Sequence, residues 1–563
     1  MTLTESLQQG LLLLDAGMGT YLQAKGLAAG QPPEQWNLTH PDAVVDMHTR
    51  CLLAGSSVLY TNTFGANRLH YPPAMLRRLI EAAVTHAKAA IAQTASATPR
   101  YVALDIGPLG RFLAPFGELS FEEAVSIFAE VVQIGAACGV DLIVIETMAD
   151  AYETKAAVLA AKENASVPIF VTHAYDQNGR TLTGATPQTM VPLLEGLGVS
   201  ALGVNCGFGA AAMTDTVKAL LRYASVPVIV KPNAGLPKLV GGRTVYEDTP
   251  ETFAREMKEL VNLGVRAVGG CCGTTPEHIR ALAESLSGIT PPPLLPPNRT
   301  VVTSYVRAVE LGKSLVRVGN RLHTAKNPPL REALSAGDDD LLIEQAERQV
   351  DDGAELLLLH VSPSAAPISP SSCPGQDERA CLSHALSQLQ ATVSVPLLLD
   401  AATPAALARA MRVYNGKPMV RLTDTSEHPL QAILPLLRHY GGTLLVPLSL
   451  PSKDKEASPA ALLALAEGVL SAAGQQGIAP RDIVFDLLPA DLPSPERLRQ
   501  VLRELKSRWG VSTLLTLPDP LPDAPTLSVP DVRTALECGI DAVLFDPTEA
   551  DLRACLPAPD DRP

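Results

Sequence analysis

The feature that most constrains the fold is an alternation that runs along the whole chain: short apolar, often β-branched runs separated by Ala/Leu/Glu-rich amphipathic stretches. Adjacent parallel strands need a crossover between them, so this order points to repeated βα units and an α/β class. Eight runs can be placed in the first half: LLLLD ending at Asp15, SVLYTN at Asn62, YVALD at Asp105, LIVIE at Glu146, IFVTH at His173, ALGVNC at Cys206, VIVKPN at Asn233 and AVGGCC at Cys272. Eight is the number that closes a (β/α)8 barrel. Nearly every run ends in Asp, Asn, Glu, His or Cys. In a closed barrel the C-terminal strand ends share one face, so these side chains are expected to converge on a single mouth. Each alone reads better as a helix cap or turn former, but that reading does not account for the whole set.

The segment ITPPPLLPPN, residues 289–298, has Pro at half its positions and cannot continue a helix or strand. The alternation then resumes with LVRVG near 315, ELLLLH near 355, VPLLLD to Asp400, PMVRL near 418, TLLVPL near 443, IVFD to Asp486, TLLTL near 513 and AVLFD to Asp546. At 563 residues the chain is too long for one core, and two barrels of roughly 250 residues each account for it. The expected architecture is therefore two (β/α)8 TIM barrels in tandem. They span 1–288 and 301–556, joined by a Pro-rich linker at 289–300 and followed by a frayed tail at 557–563.

With 45 Lys+Arg against 59 Asp+Glu, the net charge of -14 argues against a nucleic-acid or anionic-membrane surface. No basic segment followed by an apolar core opens the chain, and no apolar run is long enough to span a bilayer. A soluble, cytoplasmic protein acting on small molecules is the expectation. Nine cysteines, an odd number in a large chain, point to free thiols, metal ligands or catalysis rather than disulfides.

Three of those cysteines stand apart. Cys206 ends the sixth run in GVNCG, and Cys271 and Cys272 end the eighth in GGCCGTTPEH. Strands six and eight of a barrel are separated by one strand, so their ends reach a common centre. Three thiolates could hold one zinc ion tetrahedrally and leave the fourth position open, the layout of a catalytic site. Soft thiolates select zinc over magnesium or calcium, and Gly203, Gly207, Gly269, Gly270 and Gly273 allow the backbone to bend closely around the metal. A substrate thiol entering the open position would lose its proton near neutral pH and be ready to attack a methyl group. Cys51, Cys138, Cys373, Cys381, Cys538 and Cys555 read instead as small hydrophobes of the core.

The combination LLLLDAGMGT, YTNTFGANR, DIGPLG, IETMAD, GRTLTG, GVNCG, KPNAG and GGCCGTTPEH closely resembles the homocysteine-binding barrel of cobalamin-dependent methionine synthase, over about residues 1–290. It is also similar to betaine-homocysteine methyltransferases. The resemblance implies Cys206, Cys271 and Cys272 as zinc ligands. It places Asp15 and Glu146 at the substrate mouth, where they suit the amino group of an amino acid. Asn233 falls where the family has a polar strand-end residue, and Thr61, Asn62 and Asp105 become pocket-shaping groups.

The second half resembles the methyltetrahydrofolate-binding barrel that follows in the same synthases, with RVGNRLH and DDGAELLLLH in place of that barrel's Gly-Glu-Arg-x-Asn and Gly-Ala-x-x-Leu-Asp-Val-Asn motifs. Asn320 and His323 replace Glu and Asn, Leu358 and His360 replace Asp and Asn, and Arg421 replaces Asn, while Asp400 and Asp486 are kept. Each unmatched buried partner costs about 1–3 kcal/mol, so methyltetrahydrofolate binding is expected to be very weak or absent. Asp400 and Asp486 then remain either as structural remnants or as part of a site for another ligand with His360 and Arg421. No Asp-x-His-x-x-Gly sequence that would ligate cobalt is found, so methylcobalamin is expected on a separate corrinoid-carrying protein. The resulting expectation is a zinc-dependent homocysteine S-methyltransferase forming methionine. The alternative draws the methyl from S-adenosylmethionine, S-methylmethionine or a betaine-like donor, with the second barrel a non-catalytic docking domain.

Overall fold

The computed structural model describes the chain apart from residues 1–2, 4, 6, 8–9, 97, 241–242, 362–376, 424, 426, 450–457, 488–494, 518–535, 550–552, 555 and 557–563. It divides into two units, Met1–Pro297 and Asn298–Pro563. In the first unit come β1 (Leu12–Leu13), β2 (Val58–Tyr60), β3 (Tyr101–Ile106), β4 (Leu142–Met148), β5 (Ile169–His173), β6 (Ala201–Asn205) and β7 (Val228–Lys231). A hairpin of β8 (Lys238–Val240) and β9 (Arg243–Val245) follows, and then β10 (Ala267–Val268). The eight non-hairpin strands are parallel, in the order β1-β10-β7-β6-β5-β4-β3-β2. The Ser57 N–H donates to the Leu13 carbonyl at 2.7 Å and carries the edge of β2 back to β1, so the sheet is almost a closed barrel. All eight runs read from the sequence are strands of this sheet.

Helices cover the outside of the sheet, so its strands are buried on both faces and read as unbroken apolar runs. The interior is filled by Leu14, Tyr60, Ala103, Val144, Phe170 and Ile229, which Leu3 and Leu7 join from the segment before β1. Helix starts are set locally. Ser120 accepts from the Glu123 N–H, Asp150 from Glu153 and Thr249 from Thr252, each satisfying a donor that has no partner inside its helix.

The second unit opens with an antiparallel hairpin, β11 (Thr300–Thr303) and β12 (Ala308–Leu311). Its barrel strands are β13 (Val316–His323), β14 (Leu356–His360), β15 (Leu397–Asp400), β16 (Met419–Arg421), β17 (Thr443–Pro447), β18 (Ile483–Leu487), β19 (Ser512–Thr516) and β20 (Ala542–Phe545). These pair in chain order and close. Val302, Val309 and Leu311 of the hairpin pack with Val316, Leu356 and Met419 of the barrel interior. The Thr303 N–H donates to Lys417 O and Thr300 Oγ1 to Arg481 O, both just ahead of a strand, so the hairpin seals the N-terminal end of the barrel. This plug was not legible in the sequence. The expected linker ran to residue 300, whereas β11 already begins at Thr300; residues 291–299 carry neither helix nor strand. No described helix is long and apolar enough to cross a membrane.

Close strand approach fixes one glycine. A Cβ at Gly203, in β6, would lie 1.9 Å from the Ile229 carbonyl oxygen of β7. Gly110 has φ +71 but open space around it. Gly203→Ala is therefore expected to cost about 3 kcal/mol or more through overpacking, against ~1 kcal/mol for Gly110→Ala through backbone conformation alone. Urea denaturation of both variants checks the order, and equal losses would contradict the packing assignment.

Candidate active site

At the C-terminal mouth of the first barrel the strand ends surround a cavity of about 360 Å3. Its wall includes Asp15, Tyr60, Asp105, Glu146, Lys231 and the three cysteines. Cys206 follows β6 with φ 59, a left-handed conformation that a residue bearing a side chain adopts only under outside constraint. Thr147, following Glu146, does the same with φ 60. Asn205 holds both ends. Its Oδ1 accepts from the Thr147 N–H and the Thr172 hydroxyl, each at 2.8 Å, and its Nδ2 donates to Thr147 Oγ1 at 2.7 Å.

The cysteine loops are pinned to neighbouring strands in the same way. The Cys206 N–H donates to Lys231 O and the Cys271 N–H to Pro232 O. Asn233, read from the sequence as a substrate group, accepts from the Cys272 N–H through Oδ1 at 3.1 Å, which places it behind the metal-ligand candidate. The three sulfurs all lie within 4.8 Å of one another, and Cys271 and Cys272 are 4.0 Å apart. Tetrahedral zinc with Zn–S near 2.3 Å spaces its sulfurs by about 3.8 Å, so the set fits the ion without backbone rearrangement. Hydrogen bonds from Cys271 and then Cys272 pull Cys206 down to about 3, while the bond to Cys206 raises Cys271 well above the usual thiol range and Cys272 to about 11. The cluster already favours one shared negative charge.

Beside the sulfurs lies a buried ion cluster whose cation the sequence reading missed. Lys231, with a side chain 4% exposed, places Nζ 3.0 Å from Asp15 Oδ1, 3.7 Å from Glu146 Oε2 and 3.5 Å above the centre of the Tyr60 ring. Burial pulls the ammonium down, but Asp15 and Glu146 outweigh it and hold Lys231 well above its ordinary value. Asp15 Oδ2 accepts from the Tyr60 N–H at 2.7 Å, so both oxygens of that carboxylate are occupied. A lysine inside the apolar run VIVKPN was the available signal, because buried lysines persist only when paired.

Asp105 is different. Its Oδ1 is buried without a hydrogen-bond partner among the described residues, and burial followed by the Glu146 charge pushes its carboxyl well above the usual range. Thr61 fixes its backbone, Thr61 Oγ1 accepting from the Asp105 N–H at 3.1 Å. Asn62 lines the cavity, but its Nδ2 is committed to Pro33 O and Asn37 Oδ1. Glu34, also missed, adds a further buried carboxylate, held by the Gly65 N–H and Tyr71 hydroxyl. Four carboxyl groups facing one ammonium make the cavity a place for a cationic group. Of the remaining cysteines, Cys51 and Cys381 are buried as expected, Cys538 is partly buried and packs against the core of the second barrel, and Cys138 is partly exposed at the end of its helix. Cys373 and Cys555 lie outside the described residues.

In the second barrel His323, His360 and Asp400 come together at three adjacent strand ends, and Arg421 lies between Asp400 and Asp486. Asn320 sits at the register shift in β13. Leu358, 1% exposed, packs in the barrel interior with Val318 and Leu398.

Removing the cation tests the ion cluster. Lys231→Met leaves Asp15 and Glu146 without their counter-charge and is expected to cost about 3–5 kcal/mol of stability. The denaturation midpoint checks this, and an unchanged midpoint would show that the cluster does not depend on Lys231.

Residues 12–286 match the family model described as homocysteine S-methyltransferase. Over 549 residues the chain is 28% identical to methionine synthase of Mycobacterium tuberculosis, covering 92% of this chain and 45% of that protein. The chain thus spans about half the length of that curated relative. Among solved structures it is similar to the oxidized form of the homocysteine methyltransferase MmuM from Escherichia coli, at 24% identity and TM-score 0.43, covering 49% of this chain and 96% of that one. It is also similar to dihydropteroate synthase from Xanthomonas albilineans, at 15% identity and TM-score 0.34, covering 46% and 96%. The first barrel, with three cysteines at its mouth, is a domain of the homocysteine S-methyltransferase family, in a chain whose two barrels align as one stretch with a methionine synthase.

Proposed function

We propose that the first barrel transfers a methyl group to the thiol of homocysteine, forming methionine, with zinc held by Cys206, Cys271 and Cys272. The observation that carries this reading is the convergence of three sulfurs at zinc spacing on the wall of a cavity rich in carboxyl groups. When bound there, zinc supplies Lewis acidity that stabilises thiolate over thiol near neutral pH. The chain's own residues do the rest. Asp105 and Glu146 take the substrate ammonium, Asp105 through the acceptor that has no hydrogen-bond partner among the described residues. Binding that cation also restores the charge that burial disfavours on Asp105. Asp15 holds Lys231, and Lys231 aims Glu146 and partly offsets the burial that raises its carboxyl. Asn205 and Asn233 fix the cysteine loops, so that the substrate sulfur meets its methyl donor in one orientation.

For the donor we favour a methylated corrinoid carried by neither barrel, because the 28% match to a methionine synthase runs through both barrels in the same order. Supplying the protein with homocysteine and, in turn, methylcobalamin, S-adenosylmethionine, S-methylmethionine and betaine separates the donors. Methionine is expected with methylcobalamin. Its formation only with one of the free small donors would overturn the donor assignment and leave the acceptor chemistry standing.

Two substitutions test the acceptor site. Cys272→Ala is expected to lower methionine formation by ~100-fold or more together with metal affinity. Glu146→Gln should raise the KM for homocysteine about tenfold with zinc retained, since it removes one charge-assisted contact. Full activity in the first variant, or an unchanged KM in the second, would remove the residue from its role.

The second barrel is proposed not to serve methyltetrahydrofolate. Leu358 offers no acceptor where the resembling barrels have Asp, and Arg421 is already engaged by Asp400 and Asp486. Calorimetric titration of the full chain with methyltetrahydrofolate is expected to show no micromolar binding. A Kd of about 1 μM or tighter would contradict this.

A further inference from the structure

The mouth of the second barrel holds a cluster that methyl transfer does not use. His323, His360 and Asp400 end three consecutive strands, β13, β14 and β15, and lie level with one another: His323 pairs with His360 and His360 with Asp400. Leu358 and Leu398, two residues earlier on β14 and β15, point into the barrel interior. Strand periodicity therefore turns His360 and Asp400 inward as well. We infer that these three residues form a second metal site, taking a divalent first-row transition ion through two imidazoles and one carboxylate.

The donors are grouped as the ligands of a single ion would be. One ligand atom from each of the three residues lies within 4.8 Å of the other two, and His360 Nδ1 is 3.8 Å from Asp400 Oδ1. Ions bound at about 2.0–2.2 Å to nitrogen and oxygen separate their donors by roughly 3–3.5 Å, a contraction that small side-chain rotations provide. The two rings lie face to face, with centroids 4.1 Å apart and planes at 27°, so neighbouring nitrogens can aim at one point. His323 Nδ1 is buried with no hydrogen-bond partner among the described residues.

The surroundings hold the carboxylate in a coordinating pose. Arg421 NH1 faces Asp400 Oδ2 at 3.7 Å, leaving Oδ1 toward His360. Arg421 NH2 is 3.6 Å from Asp486 Oδ2, and Asp486 is fixed by the Thr516 hydroxyl and N–H at 2.7 and 3.1 Å. Such outer partners orient metal-binding carboxylates. Two carboxylates share one guanidinium, so an added cation is not opposed by the local charge balance even with Lys326 contributing to the field at His323. Two imidazoles and a carboxylate suit iron, manganese, cobalt or zinc rather than the hard ions that prefer all-oxygen sites, and they leave coordination positions open.

The test uses the full chain with the sulfur site removed by Cys206→Ser, Cys271→Ser and Cys272→Ser, titrated with Co2+. One ion per chain is expected, with visible d–d bands lacking sulfur charge transfer and with hyperfine-shifted imidazole N–H resonances in the proton NMR spectrum. Adding His323→Gln and His360→Gln should weaken Co2+ binding by more than tenfold while the circular dichroism spectrum stays unchanged. Equal Co2+ affinity with and without the histidines overturns the site, as does a phosphate-dependent rise in Tm with no Co2+ uptake, which would assign the cluster to an anion on Arg421. If the serine variant does not fold, metal analysis of the chain with its cysteines intact decides. Two divalent ions per chain, falling to one with both histidines replaced, support the site; one ion in both contradicts it.

Discussion

The ion pair between Lys231 and Asp15 is the interaction on which the first barrel's mouth depends. Asp15 follows β1 and Lys231 ends β7, and these two strands flank β10 in the sheet. The pair therefore spans the strand whose end carries Cys271 and Cys272. Taking both charges out of water is costly, and the cost is met only by mutual attraction, the Tyr60 ring and the Tyr60 N–H acting together. Once they are in place, Glu146 is drawn toward the same cation and Asn205 couples Glu146 to the loop that bears Cys206. Sulfur cluster and carboxyl cluster are thus one connected network with a defined spacing between them.

Much of this was legible in the sequence because a parallel barrel writes its active face into its strand ends. The runs ending at Asp15, Glu146 and Cys206 needed only the count of eight to converge. What stayed hidden had ambiguous signals. Lys231 sits within a strand run, two residues before the Asn233 that was read as its functional end, and nothing in the spacing says which is aimed at the cavity. Asn205 was overshadowed by the adjacent Cys206, yet it holds two left-handed backbone positions. Glu34 comes from outside any barrel strand and reaches the site through tertiary packing alone. The β11–β12 hairpin, all but Thr300 of which lies beyond the expected linker, was given no element of its own because its Pro-rich approach masks a short alternating segment.

The two barrels have the same architecture but different chemistry at the mouth. In the first, carboxyl groups outnumber the single ammonium and the sulfurs are soft donors. In the second, the interior position held by Leu358 is apolar, and the polar groups are imidazoles, a guanidinium and two carboxylates. A barrel framework tolerates such exchange because its stability resides in the strand–helix layer, here residues such as Leu357, Leu397, Leu399 and Phe485, and not in the strand ends. Function can therefore change at one mouth without disturbing either fold.

The central claim is that three cysteines leave one position for a substrate thiol. Zinc-edge X-ray absorption on the full chain loaded with one equivalent of zinc, before and after homocysteine, tests it directly. The account predicts three sulfur neighbours at about 2.3 Å rising to four when homocysteine is added. A sulfur count that stays at three in the presence of saturating homocysteine, or that never reaches three, would contradict it.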